Sequence, residues 1–348
     1  MQKTMKTAVL VRPNEIQIEE RPVPEPGPED LLIRVKAVGI CGSDTHYFAG
    51  MRDHEDSTVY PFVLGHEFAG EVAAVGSAVT AVHEGQRVGC APDLPCRECE
   101  WCRKGEINVC PNVRFAASSG VPGCLSEYYV INQSQAHPIA DSVGFAEATL
   151  AEPLAIGLHI VDNLVRPEGG ETYAIIGAGP IGLVTTFAAR LRDAADIYVS
   201  EKRPERLRAA EELGANDTCI TPKTKFDSFV AERTGGRGAD VAVEAAGELD
   251  AVEEVTRLAC IHGTAVIEGI PPAGKAKIDI NAARRRELKV IFGRRSCHKA
   301  DEALEMIESG QFKSDVLLTH RFPLEDAQQA FEHTRDYRDG VIKAVIEP

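Results

Sequence analysis

The chain has 348 residues, of which 44% are hydrophobic and 26% charged, and its formal net charge is −15. This length is typical of two domains, and the composition is that of an ordinary globular protein. The negative charge disfavours nucleic-acid phosphates and anionic membranes, so we expect neither as a partner.

The N-terminal segment, Met1 to Arg12, has neither a long apolar core nor a small-residue cleavage site, unlike a secretory signal. The longest candidate membrane span, Tyr173 to Ala189, is interrupted by glycines and a proline, so we do not expect it to cross a membrane. The ten cysteines would not form disulfides in a reducing compartment. We therefore expect a cytoplasmic protein.

The first part of the chain carries strand signals. A Pro-rich stretch, Arg21 to Pro28, indicates a surface turn, and Leu31 to Val38 then alternates apolar and polar residues. Short strand-like runs follow, separated by Gly-rich and Pro-rich segments, and this pattern predicts a β-rich domain with long functional loops. These runs are Ala69–Val75, Arg87–Cys90 and Leu125–Ile131.

The pattern changes near Ala151, after which short apolar strands alternate with helices. This alternation predicts a parallel, doubly wound sheet. A last helix, Lys299–Ser309, and a closing strand, Val341–Ile346, return to the first domain in our interpretation. We therefore predict an α/β protein with a discontinuous β-rich domain (1–153 and 294–348) and a sheet-and-helix domain (154–293). The predicted strands of the second domain are Ala174–Gly177, Ile197–Ser200, Val241–Glu244, Ala265–Glu268 and Val290–Phe292, with a helix at Arg203–Leu213.

A glycine-rich motif opens the first helix of the second domain. It reads Gly177-Ala178-Gly179-Pro180-Ile181-Gly182 and directly follows a predicted strand. In a dinucleotide site the three glycines permit a tight turn, close approach of the pyrophosphate, and packing of helix on strand. The helix N-terminus then offers N–H groups to the phosphates. The simpler interpretation is a glycine turn that only packs.

Glu201 ends the next predicted strand, at the position where an acidic residue commonly contacts the adenosine ribose. A carboxylate there accepts hydrogen bonds from ribose hydroxyls and repels a 2′-phosphate, so the sequence predicts NAD rather than NADP. Lys202 and Arg203 follow immediately, and either cation could weaken that preference. The alternative is a merely solvated Glu201.

Four cysteines form the strongest local signal, with the spacing Cys96-x-x-Cys99-x-x-Cys102 and then Cys110. Thiolates are soft ligands, and four of them close a tetrahedral Zn²⁺ shell with no open position. The loop therefore predicts a structural zinc site that performs no chemistry. The alternative is four packed cysteines without metal.

A second, dispersed set consists of Cys41, His66, Glu67 and Glu152. A catalytic zinc needs three protein ligands and one exchangeable position. Cys41, His66 and a carboxylate would satisfy that requirement, but spacing alone does not bring these residues together.

Taken in order, Cys41-Gly42-Ser43-Asp44, the stretch from Gly65 to Gly76, the cysteine loop and the glycine motif resemble zinc-containing medium-chain alcohol dehydrogenases. The resemblance covers essentially the whole chain. The chain most resembles the sorbitol (polyol) dehydrogenases, and the residues that carry this resemblance are His46, Glu152-Pro153-Leu154 and Thr319 to Glu325. The second most similar group is the L-threonine 3-dehydrogenases, which it resembles at Gly293-Arg294.

The resemblance implies a GroES-like catalytic zinc domain and a Rossmann dinucleotide-binding domain. It also implies NAD, two zinc ions per subunit (one structural and one catalytic), a small alcohol substrate and a homotetramer.

The family pattern assigns roles to individual residues. Cys41 and His66 would hold the catalytic zinc with Glu152, and Glu67 would be a further ligand or a neighbour of the metal. Ser43 would bind the substrate hydroxyl and take up its proton, and His46 would extend the proton relay. The simpler interpretation is that Ser43 caps a turn and His46 is a solvated loop residue. The implied cofactor contacts are Gly177, Gly179, Pro180, Ile181, Gly182, Glu201, Arg206, Gly269, Ile270, Ile291 and Phe292.

The substrate channel departs from the polyol pattern. Polyol dehydrogenases commonly carry an Arg-Tyr pair after the last Rossmann strand, where this chain has Arg295-Ser296. Arg295 is therefore a candidate substrate contact without its usual neighbour.

Together these features predict a zinc-dependent oxidoreductase. It would transfer a hydride from a secondary alcohol of a sorbitol-like or xylitol-like polyol to NAD, giving a ketose. Alternatives within enzymes are an L-threonine 3-dehydrogenase, an inositol dehydrogenase and a vicinal-diol (butanediol) dehydrogenase. A zinc-ribbon nucleic-acid-binding protein is disfavoured by the charge and the glycine motif. A cofactor-binding protein that has lost catalysis is disfavoured by Cys41, Ser43, His66 and Glu67.

Overall fold

The computed structural model describes residues 3–51, 60–118, 120–271 and 274–348. The chain divides into two compact units. One comprises Met1–Glu152 together with Ala300–Pro348, and the other is the continuous segment Pro153–Lys299.

The first unit is rich in β-structure. Its N-terminal part contains strands β1 Thr4–Arg12, β2 Glu15–Pro22, β3 Asp30–Gly39, β4 Glu67–Val75, β5 Arg87–Cys90, β6 Asp93–Leu94, β7 Arg114–Phe115, β8 Tyr128–Asn132 and β9 Ala136–Pro138, and helices α1 Gly42–Phe48, α2 Glu100–Arg103 and α3 Phe145–Ala148.

The second unit and the returning C-terminal segment hold the remaining elements. Helix α4 Ala151–His159 crosses the unit boundary and continues as a π-helical turn, Ile160–Val165. Strands β10 Thr172–Ile176, β11 Asp196–Glu201, β12 Asp217–Ile220, β13 Ala239–Glu244, β14 Ala259–Ile267 and β15 Lys289–Phe292 are interleaved with helices α5 Pro180–Leu191, α6 Pro204–Glu212, α7 Phe226–Arg233, α8 Leu249–Leu258 and α9 Ile280–Arg285. The C-terminal segment contributes α10 Ala300–Glu308, β16 Leu318–Pro323, α11 Ala327–Arg335 and β17 Lys343–Glu347.

A sheet of seven strands organises the first unit, in the order β16-β17-β3-β4-β5-β9, with β8 also pairing with β3. Most of the central strand β3 is buried, and Leu31 and Ile33 are fully buried. At the end of β3, Gly39 pairs with Glu67 on one side and with Val345 on the other. This register brings the chain around Cys41, the start of β4 and strand β17 together.

The second unit is built on a parallel sheet of six strands, in the order β12-β11-β10-β13-β14-β15. Its central strands are almost continuously apolar, as expected for a sheet covered on both faces by helices. The neighbouring strands β10 and β13 are not consecutive in the chain, so the strand order reverses between them, where nucleotides bind in such sheets. The predicted doubly wound parallel sheet and the β-rich domain are both confirmed.

One helical stretch, Phe145–Val165, is long and apolar enough to cross a membrane by length and composition. This stretch differs from Tyr173 to Ala189, the longest candidate span in the sequence. In the structure, 67% of its most apolar window is buried inside the chain, as in the core helices of globular proteins, which pass the same test. The stretch is therefore weak evidence for a membrane span.

Candidate zinc and nucleotide sites

A buried aspartate joins the two loops that carry Cys41 and His66. Cys41 caps the N-terminus of α1, and its backbone N–H donates to Asp44 Oδ2 at 3.2 Å. Asp44 is 1% exposed, and its Oδ1 accepts from the N–H of Gly65 at 3.2 Å. The same oxygen lies 3.5 Å from Nδ1 of His66. A carboxylate on one ring nitrogen orients the other nitrogen of a zinc-binding histidine, so Asp44 suits that supporting role.

Charge interactions within this cluster are strong because it is buried. Burial alone would raise the pKa of Asp44, but His66 and the N–H groups of Gly65 and Cys41 hold it below its usual value. Burial alone would lower the pKa of His66, but Asp44 and Cys41 raise it well above the usual value. The side chains of Asp44 and Cys41 thus create a negative environment suited to a cation.

Glu67 is held by a buried lysine from β17. The Nζ of Lys343 donates to both carboxylate oxygens of Glu67 at 2.7 Å, and to the carbonyl of Ile40 at 3.1 Å. Both side chains of the pair are 1% exposed. A Cβ on Gly39 would come within 2.3 Å of Glu67 Oε2, so only glycine leaves room for the carboxylate. Burial alone would lower the pKa of Lys343, but Glu67 raises it, so the ammonium stays charged.

The ligand atoms of Cys41, His66 and Glu67 all lie within 4.8 Å of one another. A thiolate, an imidazole and a carboxylate at this separation fit a zinc site with an open position. Glu152, at the start of α4, is not part of this set. Burial raises the pKa of the Glu152 carboxyl to about 7, while His66 opposes and Glu67 adds to that rise, so its charge interacts with the same cluster. Its role as a direct ligand stays a prediction.

Ser43 and His46 both lie in helix α1, directly after Cys41. Each side chain is partly exposed. Their position on the helix that Cys41 begins is compatible with the predicted proton relay, which stays a prediction.

The four predicted structural ligands converge. The sulfur atoms of Cys96, Cys99, Cys102 and Cys110 lie within 4.8 Å of one another, and all four are free thiols. The N–H groups of Glu98 and Cys99 lower the pKa of Cys96 to about 6, which favours the thiolate that a metal requires. Four soft donors at this separation fit a closed tetrahedral zinc shell.

The glycine motif has the geometry of a phosphate-binding turn. Gly177 has a φ of +95°, in the region that favours glycine, and it starts the turn between β10 and α5. A Cβ on Gly182 would come within 1.9 Å of the Gly177 carbonyl, so helix and strand can pack this closely only with glycine there. A Cβ on Gly179 would find no atom closer than Arg206 Nη1 at 3.8 Å, which leaves that face open to a ligand. The observed turn fits a dinucleotide pyrophosphate.

Glu201 is fixed at the carboxyl end of β11, beside this turn. Its Oε2 accepts from the N–H of Ala178 at 3.0 Å, and its Oε1 accepts from the N–H of Lys202 at 2.6 Å. Two guanidinium groups, of Arg203 and Arg206, each lie 3.9 Å from its carboxylate. Glu201 is therefore buried beside the turn with two cations near its carboxylate, and its contact with a ribose stays a prediction.

The other predicted nucleotide and substrate residues fall around the same sheet. Gly269 and Ile270 follow β14, and Ile291 and Phe292 lie in the edge strand β15. Arg295 follows β15 with a left-handed φ of 56°. Their contacts with cofactor or substrate stay predictions.

Two residues of the zinc cluster received no role in the sequence analysis. Asp44 was visible in the Cys-Gly-Ser-Asp motif, and its spacing of three from Cys41 at a helix start is a signal for a capping side chain. Lys343 gave no such signal, because its partner Glu67 is 276 residues away in the chain.

Comparison with known proteins agrees with this geometry. Residues 27–141 match the family model of the alcohol dehydrogenase GroES-like domain, and residues 180–309 match the zinc-binding dehydrogenase model. A sorbitol dehydrogenase of Bacillus subtilis is 34% identical over 346 residues, covering 99% of this chain and 98% of that protein.

Solved structures also show similarity to dehydrogenases. A Sinorhizobium meliloti 1021 protein, assigned as a zinc-binding dehydrogenase and bound to NADP, superposes with a TM-score of 0.91 at 33% identity, covering 100% of both chains. The 2R,3R-butanediol dehydrogenase of Bacillus subtilis superposes with a TM-score of 0.87 at 30% identity, covering 99% of both chains. The chain belongs to the zinc-type alcohol dehydrogenase family, and it is an oxidoreductase of the medium-chain, GroES-like plus Rossmann type.

Proposed function

We propose that this protein oxidises a secondary alcohol of a polyol with NAD⁺ and gives a ketose. The observation that carries the proposal is the set of Cys41, His66 and Glu67, two of them buried, whose ligand atoms lie within 4.8 Å of one another in a chain with a complete dinucleotide turn. The similarity to sorbitol dehydrogenase supports the polyol class.

The residues of the first unit have distinct parts in this proposal. Cys41 and His66 supply two zinc ligands, and the third comes from one of two carboxylates, Glu67 or Glu152. Asp44 keeps the ring of His66 in its orientation, and Lys343 keeps Glu67 in place. When bound, zinc lowers the pKa of the alcohol hydroxyl and the nicotinamide accepts the hydride.

Proton removal is assigned to the start of α1. Ser43 takes up the proton of the substrate hydroxyl, and His46 passes it towards solvent through a relay. A histidine suits this task because its ordinary pKa lies near neutrality.

The experiment that tests the proposal is an initial-rate screen at fixed NAD⁺ over sorbitol, xylitol, inositols, L-threonine and 2,3-butanediol. The polyols are expected to give the highest kcat/KM. Higher kcat/KM for L-threonine, an inositol or butanediol would replace the polyol assignment with that alternative. No turnover of any alcohol by zinc-loaded protein would contradict the dehydrogenase proposal itself.

A vicinal-diol substrate is the second candidate, because the butanediol dehydrogenase superposes over nearly the whole chain. Arg295 also lacks the tyrosine neighbour of the polyol pattern. Sorbitol and 2,3-butanediol both carry adjacent hydroxyls, so their kcat/KM values, compared directly, distinguish the two.

NAD is the proposed cofactor because Glu201 is fixed beside the glycine turn, where its charge would repel a 2′-phosphate. The neighbouring Arg203 and Arg206 lessen that repulsion, and a related structure holds NADP. Kinetics with NAD⁺ and NADP⁺ test this, and we expect NAD⁺ to have the higher kcat/KM. The reverse order would contradict the assignment.

We further propose a homotetramer in the cytoplasm. The edge strand β15 leaves Phe292 67% exposed, and Ile280 nearby in the chain is 70% exposed, so this unit offers apolar surface to another copy. All ten cysteines are free, which suits a reducing compartment. Light scattering of the purified protein and cell fractionation test the two statements.

A further inference from the structure

A buried glutamate ends the strand on the other side of the nucleotide crevice from Glu201. Glu244 is the last residue of β13, it is 0% exposed, and it pairs with Ile176 of β10 in the parallel register. It therefore stands level with the residue that precedes the Gly177 turn. A buried carboxylate needs hydrogen-bond donors around it, and here the backbone supplies them.

The carboxylate of Glu244 holds the loop that follows β13. Its Oε1 accepts from the N–H of Ala246 at 2.8 Å and from the N–H of Gly247 at 2.7 Å. Its main-chain carbonyl accepts from the N–H groups of Glu268 at 3.0 Å and Gly269 at 3.1 Å, which belong to the loop after β14. Glu244 thus forms hydrogen bonds with the loop after β13 and with the loop after β14, at the carboxyl edge of the sheet.

Close packing leaves little freedom around this residue. A Cβ on Gly269 would come within 2.4 Å of Glu244 Oε2, and a Cβ on Gly177 would come within 3.1 Å of Ala246. The N–H of Ala245 also donates to the carbonyl of Ile176 at 2.9 Å. The loop after β13 therefore interlocks with the glycine turn on one side and with the loop after β14 on the other.

The order of the strands tells which half of a dinucleotide these loops face. In a doubly wound sheet the dinucleotide lies across the point where the strand order reverses, with its pyrophosphate on the glycine turn. Glu201, on β11, marks the adenosine side, so the loops after β13 and β14 lie on the side that receives the nicotinamide half. We propose that Glu244 is a positioning residue that fixes these two loops for the nicotinamide half of the cofactor.

The environment of Glu244 agrees with this assignment. Burial raises the pKa of its carboxyl, and the N–H groups of Gly247 and Ala246 oppose that rise by stabilising the ionised form. The inference rests on the proposed dehydrogenase function, since it needs a dinucleotide in this crevice.

Calorimetric titration of the purified full chain with NAD⁺, ADP-ribose and AMP tests the proposal. In the variant Glu244→Gln we expect the Kd for NAD⁺ to rise roughly tenfold, about the effect of one charge-assisted hydrogen bond, with the Kd for AMP changed less than about twofold. The matched control is Glu201→Gln, which should weaken all three ligands because each contains the adenosine ribose. Equal losses for NAD⁺ and AMP in Glu244→Gln, or no loss at all, would overturn the positioning role.

If the variant Glu244→Gln does not fold, hydrogen exchange on the unaltered protein tests the proposal instead. Hydrogen exchange of the amides of Ala246, Gly247 and Gly269 should slow on addition of NAD⁺ and stay unchanged on addition of AMP. Equal protection by both ligands would contradict the proposal. The proposed function fails separately, if the unaltered protein binds none of the three nucleotides.

Discussion

Replacing Lys343 with methionine leaves the carboxylate of Glu67 buried without its cation. The two side chains are 1% exposed, and Lys343 donates three hydrogen bonds, two to Glu67 and one to the Ile40 carbonyl. Breaking a buried pair from one side costs about 3–5 kcal/mol, because the remaining charge stays desolvated. We expect Lys343→Met to lower the free energy of unfolding of the first unit by that amount.

Urea unfolding at constant zinc concentration measures this effect. Trp101 is the only tryptophan and lies in the first unit, so its emission follows that unit rather than the whole chain. Following one unit matters because proteins with two domains and bound metal need not unfold in a single step.

Two further variants identify the cause of the loss. The double variant Lys343→Met with Glu67→Gln should recover much of the stability, because it removes both charges. The matched control is Lys6→Met, which removes an exposed lysine paired with Glu325 and should leave the unfolding curve unchanged. A loss below about 1 kcal/mol in Lys343→Met would refute the buried-pair reasoning. No recovery in the double variant would show that packing, and not charge, explains the loss.

Three other predictions concern zinc and pH. Cys41→Ser should lower kcat by roughly 100-fold or more, beyond what loss of a supporting residue costs, with an unchanged circular dichroism spectrum; near-normal kcat would exclude Cys41 as a catalytic ligand. Cys99→Ser should lower the melting temperature and remove one zinc per subunit by metal analysis, and full zinc content at an unchanged melting temperature would exclude the structural site. Burial and, after it, Lys299 lower the pKa of His159 from its usual 6.5 to about 4. The unfolded chain therefore binds a proton at this histidine at a higher pH than the folded chain does, so the stability that is present above pH 6.5 is lost as the pH falls towards 4. That loss is about 3 kcal/mol, and His159→Leu should be correspondingly less sensitive to acid in urea unfolding; equal sensitivity would contradict this assignment.

Local sequence patterns predicted most strands of the second unit. Its strands are short, apolar and separated by helices, so the sequence places the cores of β10, β11, β13, β14 and β15 correctly. The strand β12 was missed, because Asp217-Thr218-Cys219-Ile220 is neither continuously apolar nor clearly alternating. The glycine turn was predictable residue by residue, since Gly177 and Gly182 answer local steric needs and Gly179 leaves its face open to a ligand.

The first unit was less predictable for a physical reason. Strands β1 and β2 form a hairpin whose second strand, Glu15–Pro22, is largely exposed and rich in glutamate, so it lacks the apolar periodicity of a strand. The zinc site of the four-cysteine loop could be predicted because its ligands are close in sequence. The catalytic cluster could not be predicted from spacing, because its support comes from Asp44 in helix α1 and Lys343 in a distant strand, and only the family resemblance joined its parts.

The separation of Glu67 from Lys343 also bears on how the protein is made. A nascent chain presents Glu67 long before the strand that carries Lys343 is synthesised, 276 residues later. The continuous segment Pro153–Lys299 emerges in that interval and can fold as a unit, as domains do during synthesis. The first unit then closes last, when β17 pairs with β3 and delivers the ammonium to its carboxylate. Until residues 300–348 have been synthesised, Glu67 therefore has no ammonium partner.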